Sequence, residues 1–493
     1  MTEIDINQII QKAYNYHKEG KNEDAADLYK KILKTQPDNF NIYNNLGAVL
    51  KKLNKLQEAE FNFQKALDIN PNFVDAIINI GNLQYTLGKF VESETSFKKA
   101  IELKPDYAVA HYNFGNIKQK LNRLEEAETS FKKAIELKPD YVIALNDLAL
   151  TQNELNKPEE AENNYKKAII VNPNYINSYY NLAALLYSFE KIDEAETYLD
   201  KALLLSPKGK QLLKLKGQIL FQKGNFKEAL KNFDLCDSES SRSFSLASLY
   251  SLGRIEDIYQ RIDEGSKLDK KNLWIAAFAS FIAHKEKKDT ANKFCKNPLD
   301  FINYSNISLH IENANSFISE IIKELSNVKI RWEPFENTTK KGFHTGNKVN
   351  LFNKPLNKMN DLYSIILVEL HKYKLKFKKE DCTYIKNWPT KSFLSGWHVI
   401  LKQQGYQKAH IHPSGWLSGV IYLKVVPTLG KNEGAIELSL NAPHHSDDNS
   451  LKVIHKPKVG DIILFPSSLH HRTIPFTTDT DRIIVSFDLM PNK

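Results

Sequence analysis

Apolar, small and polar positions recur with a period of 34 residues through the first half of the chain. Each period carries two small residues at fixed places and ends near a proline. The prolines are Pro37, Pro71, Pro105, Pro139, Pro173 and Pro207, and the small residues are Ala13, Gly47, Gly81, Gly115, Ala149, Ala183 and Gly217, then Ala25, Ala59, Ser93, Ala127, Ala161, Ala195 and Ala229. Small side chains let two helices pack closely, and proline suits a position just after a helix. The pattern predicts seven helical hairpins over about residues 4–241.

This period and its small positions resemble the tetratricopeptide repeat, a stacked pair of antiparallel helices. The resemblance implies an all-α solenoid over residues 1–241 whose extended concave surface docks a partner chain. One polar position in that surface is occupied by Asn45, Asn79, Asn113, Asp147 and Asn181. A carboxamide can donate and accept at once, and similar ladders occur in the repeats of the protein O-GlcNAc transferase family, which this segment resembles. We expect the four asparagines to bind the backbone of a protein or peptide, with the alternative that they only follow the repeat consensus.

The period is lost after residue 241, although the pattern remains helical to about residue 298. We interpret residues 242–298 as a degenerate helical bridge or cap. Eleven of the fourteen histidines lie at or beyond His310, where short apolar runs bounded by glycine and proline begin. These runs cover residues 397–402, 418–426, 435–440, 461–465 and 482–489. They predict short strands, so residues 299–493 should form an α+β domain built on a jelly roll.

Histidines fall between these predicted strands in a distinctive order. The chain reads His410-Ile411-His412, then His471 and, eleven residues later, Arg482. The accompanying strings are SGVIYL at residues 418–423, GDIILFP at 460–466 and RIIVSF at 482–487. Over about residues 390–490 they resemble the 2-oxoglutarate- and iron-dependent oxygenases, which are distant relatives of the prolyl hydroxylases. The resemblance implies a double-stranded β-helix that binds Fe(II) and 2-oxoglutarate and uses dioxygen to hydroxylate a C–H bond.

Roles follow from the same resemblance, residue by residue. His410 matches the first histidine ligand of the metal and His471 the distal one, although its neighbour His470 competes for that place. Arg482 matches the basic residue that pairs with the distal carboxylate of 2-oxoglutarate, a task that suits a planar guanidinium. Tyr422, on a neighbouring predicted strand, is expected to donate its hydroxyl to the same carboxylate.

His412 is where this chain leaves the more common pattern, because most relatives carry Asp or Glu two residues after the first histidine. Three neutral imidazoles still bind Fe(II), but they leave its double positive charge for the 2-oxoglutarate dianion to offset. We expect His410, His412 and His471 to form the catalytic metal site. The alternative is that His412 points away and a carboxylate such as Glu437 or Asp461 completes the ligand set.

Composition narrows the remaining classes of function. The 68 basic and 59 acidic residues give a formal charge of +9, which is mild for 493 residues. No cluster of Lys and Arg alternates with aromatic residues, which argues against a nucleic-acid partner. The N-terminus lacks a signal-peptide pattern, and the most apolar run, residues 273–283, is about half the length of a membrane helix. With only three widely spaced cysteines, these features favour a cytoplasmic protein without a membrane span.

The sequence therefore predicts an Fe(II)- and 2-oxoglutarate-dependent dioxygenase that hydroxylates a protein or peptide recruited by its repeats. Two alternatives stay open at this stage. In the first, the barrel is degenerate and the chain is a non-catalytic adaptor. In the second, the oxygenase acts on a small metabolite. The substrate, the oxidised atom and any homo-oligomer are not predicted.

Overall fold

The fold is described from a computed structural model. The structure describes residues 3–268, 271–333, 338–345, 349–355, 357–427, 430–445 and 447–492. The chain divides into two compact units, Met1–Leu185 and Leu186–Lys493. The predicted domain limits at residues 241 and 298 stay predictions, because compactness alone does not define a functional domain.

The first fourteen helices follow the 34-residue period, one pair to each repeat. They are α1 Glu3–Lys18, α2 Asn22–Leu33, α3 Phe40–Lys52, α4 Leu56–Ile69, α5 Val74–Thr86, α6 Phe90–Leu103, α7 Ala108–Lys120, α8 Leu124–Leu137, α9 Val142–Glu154, α10 Pro158–Val171, α11 Ile176–Ser188, α12 Ile192–Leu205, α13 Lys210–Gln222 and α14 Phe226–Cys236. The predicted helical solenoid is therefore confirmed.

Close helix packing explains the small residues of the period. A Cβ atom on Gly81 would lie 2.7 Å from Cε1 of Phe97, and one on Gly115 would lie 2.6 Å from Cε1 of Phe131. Both phenylalanine rings are buried in the second helix of the same repeat. Only glycine leaves room for the ring at these two places, so the first small position sets how closely the two helices of a repeat approach.

Three more helices follow the repeats: α15 Glu239–Ser251, α16 Ile255–Leu268 and α17 Leu273–Glu286. The apolar helix α17 is buried on most sides, because α15, α16 and a loop of the following domain pack around it. No helix in the described part of the chain is long and apolar enough to cross a membrane.

The rest of the second unit is a pair of antiparallel sheets with helices packed against one of them. Its helices are α18 Ala314–Leu325, α19 Asn357–Lys376 and α20 Thr383–Lys386, and its strands are β1 Asn303–Asn306, β2 Arg331–Trp332, β3 Thr339–His344, β4 Ser392–Gln407, β5 Leu417–Lys424, β6 Ile436–Ser439, β7 Lys452–His455, β8 Asp461–Pro466, β9 His470–Thr473 and β10 Arg482–Pro491. The larger sheet has the order β1-β8-β5-β10-β4-β3-β2 and the smaller one β7-β6-β9. This architecture confirms the predicted jelly-roll domain.

Strand β10 lies at the centre of the larger sheet, between β4 and β5. Because side chains alternate along a strand, its residues divide between two cores. Ile483, Val485 and Phe487 pack outward against α18 and α19. Arg482 and Ile484 face inward, toward the space between the two sheets. The inner face of β10 therefore forms one wall of the site described next.

Candidate metal centre

Two histidines are held together by a backbone bridge between the segment that follows β4 and strand β9. The amide of His410 donates to the carbonyl oxygen of His471 at 3.1 Å, and the amide of His471 donates back at 3.0 Å. Their ring centroids lie 4.3 Å apart. His412 follows two residues later, with its ring centroid 5.0 Å from that of His410 and 4.9 Å from that of His471. Pairing between the two sheets thus brings together histidines that are 59 or more residues apart.

The three side chains form a group able to hold a metal ion, with one ligand atom of each within 4.8 Å of the others. The Nδ1 atom of His410 lies 2.6 Å from the carbonyl oxygen of Lys408, and that of His471 lies 3.1 Å from the carbonyl oxygen of Leu469. A carbonyl oxygen only accepts, so Nδ1 carries the proton in both rings. The Nε2 lone pairs are then available for a metal.

His412 is oriented by a carboxylate. Its Nδ1 atom lies 2.7 Å from Oδ1 of Asp488 on β10 and 3.0 Å from Oγ of Ser418 on β5. The carboxylate accepts a hydrogen bond from Nδ1–H, which leaves Nε2 as the ligand atom of this ring as well. The structure therefore brings His412 into the same group as the other two histidines.

The carboxylates considered as alternative ligands have other partners. Glu437 lies 2.9 Å from the guanidinium of Arg472. Asp461 lies 3.1 Å from Nε2 of His455. Neither belongs to the group of three histidines that the described residues form.

His470 is adjacent to His471 on β9, and neighbouring side chains on a strand point to opposite faces. Its ring is buried, and neither ring nitrogen has a hydrogen-bond partner among the described residues. Of the two candidates for the distal position, only His471 belongs to the group that faces one common point.

Burial keeps His410 and His471 uncharged. Desolvation, with a smaller effect from the neighbouring His412, lowers the pKa of His410 to about 3. Desolvation also lowers the pKa of His471 well below its ordinary value. Neutral imidazole is the form that binds a metal, so neither ring has to lose a proton at neutral pH before an ion can bind.

Arg482 and Tyr422 form a second subsite in the same cleft. Both side chains are fully buried, and the centre of the guanidinium lies 4.9 Å from the centroid of the tyrosine ring. Nε and Nη1 of Arg482 and the hydroxyl of Tyr422 have no hydrogen-bond partner among the described residues. Burial raises the pKa of Tyr422 to about 12, so its hydroxyl keeps its proton and can donate.

Buried donors without partners are costly, by about 1 to 3 kcal/mol for a neutral group and more for a charged one. A bound carboxylate would satisfy a guanidinium and a phenol together. The same cleft is lined by His410, His412 and His471. The donor set therefore fits a small anionic ligand that reaches from the guanidinium toward the three imidazoles.

The asparagine ladder of the repeats lies in the first unit and makes bonds between successive repeats. Nδ2 of Asn79 donates to Oδ1 of Asn44 at 2.8 Å, and Nδ2 of Asn181 donates to Oδ1 of Asn146 at 3.0 Å. Asn45 is half-buried and Asn113 is buried. The amide donors of two of the four predicted residues thus hold neighbouring repeats together, and the binding of a peptide by this ladder stays a prediction.

Sequence reasoning missed Asp488 and Ser418, which hold His412 in place. Asp488 is 76 residues from His412 along the chain, and no motif connects them. A signal is nevertheless present, because Arg482, Ile484, Ser486 and Asp488 alternate with apolar residues and so share one face of the predicted strand. An aspartate on the same face as the candidate ligand-binding arginine was the clue.

Comparisons with known families divide the chain into a repeat segment and an oxygenase segment, as the sequence pattern predicted. The family described as "Putative 2OG-Fe(II) oxygenase" matches residues 395–488, which include the three histidines, Arg482 and Tyr422. Tetratricopeptide-repeat families match residues 13–54, 40–73, 74–107, 106–169 and 152–219. The chain joins a segment that matches tetratricopeptide repeats to a segment that matches the family described as "Putative 2OG-Fe(II) oxygenase". The fusion that the sequence pattern predicts is therefore confirmed.

Several solved structures resemble part of this chain. A tetratricopeptide repeat protein from Parabacteroides merdae is 21% identical, with 50% of this chain and 98% of its own covered and a TM-score of 0.40. The Cut9–Hcn1 hetero-tetramer of APC/C is 16% identical, with 48% of each chain covered and a TM-score of 0.42. YrrB, described as a TPR protein with an unusual peptide-binding site, is 21% identical, with 38% and 97% covered and a TM-score of 0.32. No curated protein was found to match the chain.

Proposed function

We propose that this protein is an Fe(II)- and 2-oxoglutarate-dependent dioxygenase that hydroxylates a protein or peptide recruited by its repeats. The observation that carries the proposal is the buried, unpartnered donor set of Arg482 and Tyr422 in the cleft of the three histidines. A cation site and a carboxylate site in one cleft suit a ligand with a chelating end and a distal carboxylate. 2-Oxoglutarate has both.

His410, His412 and His471 would hold the iron through their Nε2 atoms. Bound Fe(II) and 2-oxoglutarate supply the activation of dioxygen, with succinate and carbon dioxide as products. The ligands of this chain bring no charge of their own, so the dianionic cosubstrate would offset the charge of the metal. Backbone carbonyls and Asp488 fix the three rings before the metal binds, which limits the reorganisation that binding requires.

Arg482 and Tyr422 would orient the cosubstrate. The guanidinium offers parallel N–H donors to the distal carboxylate, and the tyrosine hydroxyl adds a third donor. Burial strengthens these bonds, because no water competes for the donors. Desolvation lowers the pKa of Arg482, yet arginine remains charged at neutral pH, so the subsite keeps its preference for an anion.

The repeats support a macromolecular substrate rather than a metabolite. Stacked helical repeats form an extended surface suited to an extended chain, and Asn45, Asn79, Asn113 and Asn181 follow one position along it. The amides of Asn79 and Asn181 each donate one hydrogen bond to the preceding repeat, so the oxygen and the second N–H of each amide would bind the peptide backbone. The predicted cytoplasmic location belongs to the same proposal.

The test measures succinate formed by the purified full chain with Fe(II), 2-oxoglutarate and dioxygen. We expect slow succinate formation without substrate, and its loss in Arg482→Met. Arg254→Met is the matched control, because Arg254 is exposed and ion-paired with Asp257 outside the cleft. A folded wild-type protein that binds no iron and forms no succinate would exclude the proposal and favour the non-catalytic adaptor.

A further inference from the structure

His412 differs from the other two histidines of the site in what lies behind its ring. The Nδ1 atoms of His410 and His471 face neutral backbone carbonyls. The Nδ1 atom of His412 faces the carboxylate of Asp488 at 2.7 Å. A negative charge therefore lies directly behind one ring of the three.

Asp488 is buried, with 8% of its surface exposed. Ser418 Oγ donates to its Oδ1 at 2.7 Å, and the same hydroxyl lies 2.8 Å from Oγ of Ser467. Among the described residues, the only side chain within ion-pair distance of Asp488 is His412. The carboxylate is thus held by Ser418, whose hydroxyl also contacts Ser467, and no lysine or arginine among the described residues neutralises it.

The backbone closes tightly over this network. The amide of His412 donates to the carbonyl oxygen of Ser467 at 3.0 Å, and the amide of Gly415 donates to the carbonyl oxygen of His412 at 3.1 Å. A Cβ atom on Gly415 would lie 2.7 Å from Oγ of Ser467 and 3.0 Å from Cγ of Asp488. The turn therefore has no space for a side chain at residue 415 without displacing the carboxylate.

A carboxylate that accepts the outer N–H of a ligating histidine fixes the ring and raises its basicity as a ligand. We propose that Asp488 is a positioning residue that aims Nε2 of His412 at the metal and gives the three-histidine site the negative charge its ligands lack. This inference rests on the proposed iron site. With Asp488 counted, the protein offsets one of the two positive charges of Fe(II) before any cosubstrate binds.

The test is an anaerobic titration of the full chain with Fe(II) alone, followed by the Fe(III)/Fe(II) midpoint potential. Asp488→Asn keeps an oxygen that can accept from His412 and Ser418 but removes the charge. We expect its Fe(II) affinity to fall about 10- to 100-fold, the range usual for such partners. The midpoint potential should rise, because the lost charge stabilises Fe(III) more than Fe(II).

Asp461→Asn is the matched control, because Asp461 also pairs with a histidine but lies outside the site. It should leave affinity and potential unchanged. Wild-type affinity and potential in Asp488→Asn would overturn the inference while the iron site stands, whereas a wild-type chain without Fe(II) affinity would overturn both. If Asp488→Asn does not fold, Ser418→Ala is the variant that tests the inference. We expect its Fe(II) affinity to fall several-fold, and an unchanged Fe(II) affinity and midpoint potential would overturn the proposal.

Discussion

At the scale of single residues, burial decides the chemistry of the histidines in the second unit. Desolvation is the largest cause that lowers the pKa of His344, His398 and His470 to about 4. These rings stay neutral in the folded protein at pH values where a free histidine is charged. The folded state therefore excludes protons that the unfolded chain would bind, and the stability of this unit depends on pH.

We predict that the free energy of unfolding of the metal-free protein decreases as pH falls from 6.5 to 4. The unfolded chain gains protons near pH 6.5, whereas folded His470 gains one only near pH 4. Stability from this histidine is complete above pH 6.5 and is lost through that window, on the order of 3 kcal/mol. Urea unfolding at several pH values should show a flatter dependence in His470→Gln than in His371→Gln, whose side chain is exposed. Equal slopes in the two variants would contradict it.

At the scale of elements, apolar runs predicted the strands at the centre of the larger sheet. Edge strands with polar sequences were not predicted. The predicted runs 418–426, 461–465 and 482–489 correspond to β5, β8 and β10, which are buried on both faces. Strands β1 and β7 have polar or alternating sequences and each pairs with one neighbour only. Such strands form because a partner strand offers its unpaired backbone groups, and this information is not local.

The same limit applies to the site. His410, His412, His471 and Arg482 were predictable as candidates because their order along the chain resembles that of a known family. The role of Asp488 was not, because it depends on the pairing of β10 with β5, which brings Ser418 beside it. Register between distant strands sets that contact, and one chain alone does not reveal register.

The helix pairs provide a prediction at this scale. Gly81→Val should destabilise the repeats by about 1 to 3 kcal/mol, because the new side chain overlaps the buried ring of Phe97. Helix propensity alone would give the opposite sign, since valine is a better helix former than glycine. Lys99→Val is the control on an exposed face of α6 and should change stability by about 0.5 kcal/mol or less. Unfolding of both variants is monitored by circular dichroism. Equal unfolding midpoints would rule out the packing explanation.

At the scale of the whole molecule, the second compact unit contains more than the oxygenase domain predicted from residue 299. Phe244 and Trp274, from α15 and α17, stack on His444 of the loop between β6 and β7. Lys285 of α17 pairs with Asp447 of the same loop at 2.6 Å. These helices cover a loop that connects two strands of the smaller sheet, so they are part of the support of the barrel.

Two deletions test this division. A chain that lacks residues 1–173 keeps α11 to α17, and we predict that it binds Fe(II) and 2-oxoglutarate as the full chain does. A chain that lacks residues 1–298 exposes the aromatic contacts of His444 and should lose most of that binding or aggregate. Calorimetric titration of both fragments measures the difference, and equal binding by the two would show that α15 and α17 are dispensable. If the fragment without residues 1–173 turned over a protein substrate as fast as the full chain, the deleted repeats would not be needed to recruit that substrate.

The central claim is that three histidines and a buried arginine of this chain form one iron and 2-oxoglutarate site. The most direct measurement is an anaerobic crystal structure of the full chain with Fe(II) and 2-oxoglutarate. We predict nitrogen atoms of His410, His412 and His471 at about 2.0 to 2.2 Å from one metal ion, with the distal carboxylate on Arg482 and Tyr422. A metal ligated by Glu437 or Asp461 with His412 turned away, or a cleft that stays empty at saturating ligand, would contradict the account.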